Sequence, residues 1–133
     1  MNDLLKLNPT PVRIQLRRIK GWRLHEFSRE LNGLPAVNCS RPGRWGNPFK
    51  VERFGLDLSL ELFARTVRGI WTKDGIEDFL IHEAYQLRTD FLNRHGHHPM
   101  ENARVELKKH NLACFCKTDQ KCHCDELLKI ANA

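Results

Sequence analysis

Four of the five cysteines fall within eleven residues, in the run Cys114-Phe115-Cys116-Lys117-Thr118-Asp119-Gln120-Lys121-Cys122-His123-Cys124-Asp125. Thiolates and imidazoles are the ligands of tetrahedral zinc, and a thiol beside an imidazole can also pair a nucleophile with its acid or base. Three chemistries fit this run. Zinc could be held by Cys114, Cys116, Cys122 and His123. A metal-free ligand or catalytic site could use Cys122 or His123 as nucleophile or acid/base, with Asp125 orienting the imidazole. The thiols could instead be buried structural groups. The spacing, CxC, five residues, then CHC, departs from the paired CxxC of zinc ribbons, so the residues alone leave all three open and name no cofactor.

A second run, Ser40-Arg41-Pro42-Gly43-Arg44-Trp45-Gly46-Asn47-Pro48-Phe49, carries groups that recognise anions and rings. Arg41 and Arg44 can each grip a phosphate or carboxylate in two places. Trp45 offers a stacking face, and Asn47 a donor and an acceptor. The competing reading is a rigid turn in which Trp45 and Phe49 anchor the core and Gly-Asn-Pro is turn chemistry. Elsewhere, His95, His97 and His98 fall in a Gly-containing linker and are expected to be solvated. His82 is expected partly buried on a packing helix, and Cys39 is a small buried hydrophobe.

These runs need elements to position them. Residues 12–17 alternate apolar and polar as a half-buried strand does, with Arg13, Gln15 and Arg17 facing outward. Residues 34–38 and 112–116 give two more strands. Leu60, Phe63, Val67, Ile70 and Trp71 predict a helix over 59–72, capped by Ser59 and ended by Gly75. Ile76, Leu80, Ala84, Leu87 and Phe91 predict another over 76–94. Further helices are expected over 100–110, with Pro99 in the first turn, and over 124–132. The order predicts an α/β fold, a small single-domain layer of mostly parallel strands with helical crossovers, spanning 11–133 after an N-terminal extension of 1–10. In such a sheet ligands bind beyond the carboxyl ends of the strands. If the strands at 34–38 and 112–116 are parallel neighbours, both loops emerge at one edge and build one site.

Composition narrows the classes. With 133 residues, 41% hydrophobic and 29% charged, the chain is sized for one globular domain and is neither a disordered polyelectrolyte nor a coiled coil. It has no apolar run of the ~18 residues that a membrane span needs. No secretory signal is legible at the N-terminus, so a cytoplasmic location with reduced thiols is expected. Residues 1–50 hold ten Lys/Arg against three Asp/Glu, and residues 51–133 hold twelve against thirteen. The basic half favours anions, from nucleotides to nucleic-acid backbones.

Pro11-Val12-Arg13-Ile14-Gln15-Leu16 with Lys20-Gly21-Trp22, then the run Ser40 to Phe49, then Asn111-Leu112-Ala113-Cys114-Phe115-Cys116 and Cys122-His123 ahead of Asp125, Leu127 and Leu128, together resemble the domain-of-unknown-function family 4326 of bacteria and their phages. The resemblance spans about residues 11–132. It implies a small α/β domain and no established activity. The family pattern has a small residue where this chain has Cys124, which sets Cys124 apart from Cys116, Cys122 and His123.

The leading functional expectation is a nucleotide- or phosphosugar-binding protein of bacterial or phage nucleotide or nucleic-acid metabolism. Its one anion site would combine Arg41, Arg44, Trp45 and Asn47 with Cys122, His123 and Asp125. The alternative is a nucleic-acid-binding module that uses residues 12–23 and the Arg loop, braced by a Cys/His zinc site and without catalysis. A third reading is an accessory protein that docks on a host protein through its basic face.

Overall fold

The computed structural model describes residues 9–133, so most of the expected N-terminal extension, residues 1–8, lies outside the described residues. Three short strands, β1 (Arg13–Gln15), β2 (Ala36–Asn38) and β3 (Asn111–Cys114), form an all-parallel sheet in the order β1-β3-β2. Ile14 pairs with Ala113 and Val37 with Leu112, which confirms the α/β reading and the parallel pairing of β2 with β3. All four residues of β3 are buried. A central parallel strand is covered on both faces, which is why Asn111-Leu112-Ala113-Cys114 is nearly continuous in apolar character rather than alternating.

Side chains of a strand alternate between faces, and the two faces have different covers. Ala113 joins Ile14 and Leu16 in a small cluster closed by Trp22 and Leu24. Leu112 and Cys114 join the main core with Trp45, Phe49, Phe63 and Phe91. Each of these large side chains contributes about 1.5–3 kcal/mol on burial.

Helix α1 (Leu24–Asn32) crosses from β1 to β2. No helix was expected there, because the segment is strongly polar and buries only Ser28 completely. The available signal was Leu24, Phe27 and Leu31 at helical spacing, followed by Gly33, which closes the helix in the left-handed conformation at φ 80°. Asn111 ties this helix to the sheet. Its side-chain amide donates to Ser28 Oγ at 2.7 Å and Asn32 Oδ1 at 2.8 Å, and its Oδ1 accepts from the Val12 amide at 3.0 Å.

Between β2 and β3 run α2 (Val51–Phe54), α3 (Leu56–Arg68), α4 (Asp78–Arg94) and α5 (Pro99–Glu106), and α6 (His123–Ala131) follows β3. The expected boundaries need three corrections. Helix α3 starts at Leu56 and stops at Gly69, so Ser59 is a buried residue inside it rather than its cap, and Ile70 is exposed beyond it. Ile76 packs in the core ahead of α4 instead of within it. Strand β3 ends at Cys114, which leaves Phe115 and Cys116 in the bend that follows.

Two histidines also depart from expectation. His95 is buried, its ring 4.3 Å from that of Trp45 and 4.5 Å from that of Phe91, while His82 is exposed.

Candidate functional site

Parallel strands send all their carboxyl ends to one edge, and here the ladder continues just past each strand. Leu16 N donates to the Cys114 carbonyl at 2.7 Å, and Cys39 N to the Ala113 carbonyl at 2.7 Å. The next residues, Arg18 after β1, Ser40 and Arg41 after β2, and Phe115 and Cys116 after β3, therefore surround one cavity of about 310 Å³. Cys122 and His123, at the start of α6, form part of its floor, and Leu56, Ser59 and Leu60 of α3 form a wall. The two sequence runs thus meet at the carboxyl edge of the sheet.

Cys122 is the N-cap residue of α6, and a capping box fixes it: the Asp125 carboxylate accepts from the Cys122 amide at 3.2 Å, and the Cys122 side chain takes the N3 amide. Cys122 Sγ lies 3.0 Å from Cys114 Sγ and 3.5 Å from His123 Nδ1. Hydrogen bonding from Cys114, then from Cys124, draws the Cys122 thiol well below its ordinary pKa, against the opposing effect of burial, with His123 adding to the shift. The same contact with Cys122 pushes Cys114 up to about 12. Burial and the neighbouring Cys122 charge raise Cys116, and hydrogen bonds to Cys114 and Cys122 raise Cys124. Within the cluster Cys122 is the thiol drawn down, and its three neighbours are pushed up.

The imidazole is held differently from the expectation. His123 Nε2 lies 2.8 Å from the Cys39 carbonyl and 3.1 Å from the Trp45 carbonyl. Both partners are pure acceptors, so Nε2 carries a hydrogen and Nδ1 is the ring nitrogen that faces Cys122. Asp125 does not orient this ring. Its carboxylate serves the cap and faces Arg13 Nη1 at 3.5 Å.

The Arg loop divides its residues between pocket and scaffold. Arg41 borders the cavity, with Nη1 donating to the Asn47 carbonyl at 3.2 Å. Gly46 packs so closely behind it that a Cβ there would meet Arg41 Cα and N at 2.9 Å, which explains glycine at that position. Arg44 turns away, forming a two-pronged pair with Glu106 at 2.8 Å on each oxygen and donating to the Arg94 carbonyl at 3.0 Å. Trp45 is a core anchor rather than a stacking face, 2% exposed, with its indole N–H donating to Glu106 at 3.2 Å. Asn47 touches the cavity, but its amide is committed to Ser59 Oγ at 3.0 Å and its Oδ1 to the Phe49 amide at 2.9 Å. It positions the loop.

Sequence reading missed three contributors. Arg13, expected to face outward, is folded inward with its side chain only 8% exposed. Its Nη2 donates to the carbonyls of Lys117 at 3.0 Å, Thr118 at 2.8 Å and Gln120 at 2.6 Å, fastening the loop between Cys116 and Cys122. Arg18 lies over the half-exposed ring of Phe115 at 3.9 Å, and the pair forms one rim of the cavity. The signal for Arg18 was its place just beyond β1, in line with the carboxyl-edge rule; no sequence signal turned Arg13 inward.

Among the described residues no helix is long and apolar enough to cross a membrane. A family model described as "Domain of unknown function (DUF4326)" matches residues 14–133. No curated protein and no solved structure matches the chain.

Proposed function

The chain belongs to the DUF4326 family, and from that premise and the cavity at its sheet edge we propose that it binds a small phosphate-bearing molecule, a nucleotide or a phosphosugar. The observation that carries the reading is the placement of Arg18 and Arg41 on the rim of one cavity whose floor holds the N-terminus of α6. Two guanidinium groups on one rim favour an anion, and the positive end of the α6 dipole lies beside them. Arg44, neutralised by Glu106, has no part in this; Arg41 has no carboxylate partner among the described residues. The walls beside the cations are largely apolar, with Phe49, Leu56, Leu60 and the Phe115 ring available to a sugar or base. About 310 Å³ is the low end of small-molecule sites, which favours a single nucleotide or phosphosugar over a dinucleotide.

Thermal unfolding with inorganic phosphate, nucleoside monophosphates and a sugar phosphate tests this. A ligand that binds only the folded state raises Tm by mass action. A saturable rise that Arg41→Ala removes, with the ligand-free Tm little changed, supports the reading. No rise with any of the three overturns it. Binding of an oligonucleotide that weakens steeply with salt, without any response to mononucleotides, would transfer the surface to nucleic-acid backbone recognition.

A further inference from the structure

We propose that Cys114, Cys116, Cys122 and His123 bind one zinc ion at the floor of the cavity, with thiolate sulfurs and His123 Nδ1 as ligands. The sulfurs of Cys114, Cys116 and Cys122 lie within 4.8 Å of one another. A tetrahedral zinc with bonds of ~2.3 Å to sulfur and ~2.0 Å to nitrogen has S–S edges of ~3.8 Å and S–N edges of ~3.5 Å. The Cys122 Sγ to His123 Nδ1 separation is 3.5 Å, the Cys114 and Cys122 sulfurs at 3.0 Å must part by ~0.8 Å to admit the ion, and His123, which now groups with Cys122 and Cys124, must draw in toward Cys114 and Cys116. Thiols are weak hydrogen-bond partners, so gathering three of them gains little unless something binds them together.

Two further observations point to a metal. His123 has its Nε2 hydrogen engaged by two backbone carbonyls, the outer arrangement that holds a ligating imidazole in the correct tautomer and frees Nδ1. Arg13 is more than nine-tenths buried beside the cluster, and its Nη1 has no hydrogen-bond partner. Three thiolates around a divalent ion carry one net negative charge, and this guanidinium, shared with the Asp125 carboxylate 3.5 Å from Nη1, lies beside it. The four ligands all border the cavity, whereas Cys124 and Cys39 do not, so the half-exposed Cys116 marks the way in. With the ion bound, Cys122 is a ligand rather than a free nucleophile. Binding releases the thiol protons to solvent, so affinity rises with pH.

The test reads metal, not phosphate, and so stands apart from the anion-binding reading. Reduced full-length protein purified without chelator is weighed by native mass spectrometry, then stripped and titrated with cobalt(II). One zinc per chain, and a cobalt adduct with thiolate charge-transfer absorption and tetrahedral d–d bands, support the site. Protein that carries no zinc and gives no such bands with cobalt overturns it. Cys116→Ser should lose most of the metal and Cys124→Ala should keep it. The reverse pattern would also overturn the assignment. If Cys116→Ser does not fold, His123→Gln replaces it, and an unchanged cobalt spectrum in that folded variant would remove His123 from the ligand set.

Discussion

His123 Nε2 lies 2.8 Å from the carbonyl oxygen of Cys39, 84 residues earlier in the chain. That bond joins the first turn of α6 to the end of β2, and with the Trp45 carbonyl it sets which ring nitrogen faces the thiols. His123→Ala leaves buried carbonyls unpartnered and is expected to cost about 2 kcal/mol, read by urea unfolding. His123→Gln, whose amide can still donate to them, should recover part of that loss without restoring a ring nitrogen beside Cys122.

Arg44 and Arg41 sit three residues apart and face different partners. Arg44→Ala removes a half-exposed pair with Glu106 and should lower stability by about 1 kcal/mol or less. Its thermal response to phosphate should match that of the parent protein, in contrast to Arg41→Ala.

His95 and Glu106 predict a two-stage loss of stability in acid. Burial lowers the pKa of His95 in the folded state, so below about pH 6.5 the unfolded chain takes up a proton that the folded one resists. The stability that this provides is complete above that pH and declines as pH falls. Hydrogen bonding from Arg44 lowers Glu106, which adds a second decline below about pH 4.3, where an unfolded glutamate protonates. His95→Gln should flatten the first stage and leave the second, as measured by denaturant midpoints from pH 7.5 to 3.5.

Gly46→Ala would drive a Cβ into the Arg41 backbone at 2.9 Å. A rigid neighbour cannot yield cheaply, so a loss of about 1–3 kcal/mol is expected. Because the displaced residue is Arg41, the phosphate-induced rise in Tm should shrink as well.

Arg13→Lys keeps the charge, but one ammonium cannot reproduce the planar guanidinium that holds three carbonyls of the 117–120 loop. Amide hydrogen exchange in residues 117–121 should accelerate, while exchange in β3 stays slow.

Periodicity located β1, α3 and α4, because burial on one face of a strand or helix recurs at a fixed spacing, while apolar runs marked β2 and β3 and end signals such as Pro99 marked α5. The meeting of the Arg loop with the Cys/His run was also legible, since adjacent parallel strands must deliver their following loops to the same edge. Direction within those loops was not. Arg44 rather than Arg41 turns to Glu106, a residue of α5, and Trp45 enters the core beside His95 of the α4–α5 connection. Arg13 looks outward only if its face of β1 is solvated; α6 packs over that face, so the guanidinium is enclosed and becomes the clasp of the cysteine loop. Each of these outcomes depends on a partner dozens of residues away, which a local pattern does not encode and only the packing of the helices on the sheet supplies.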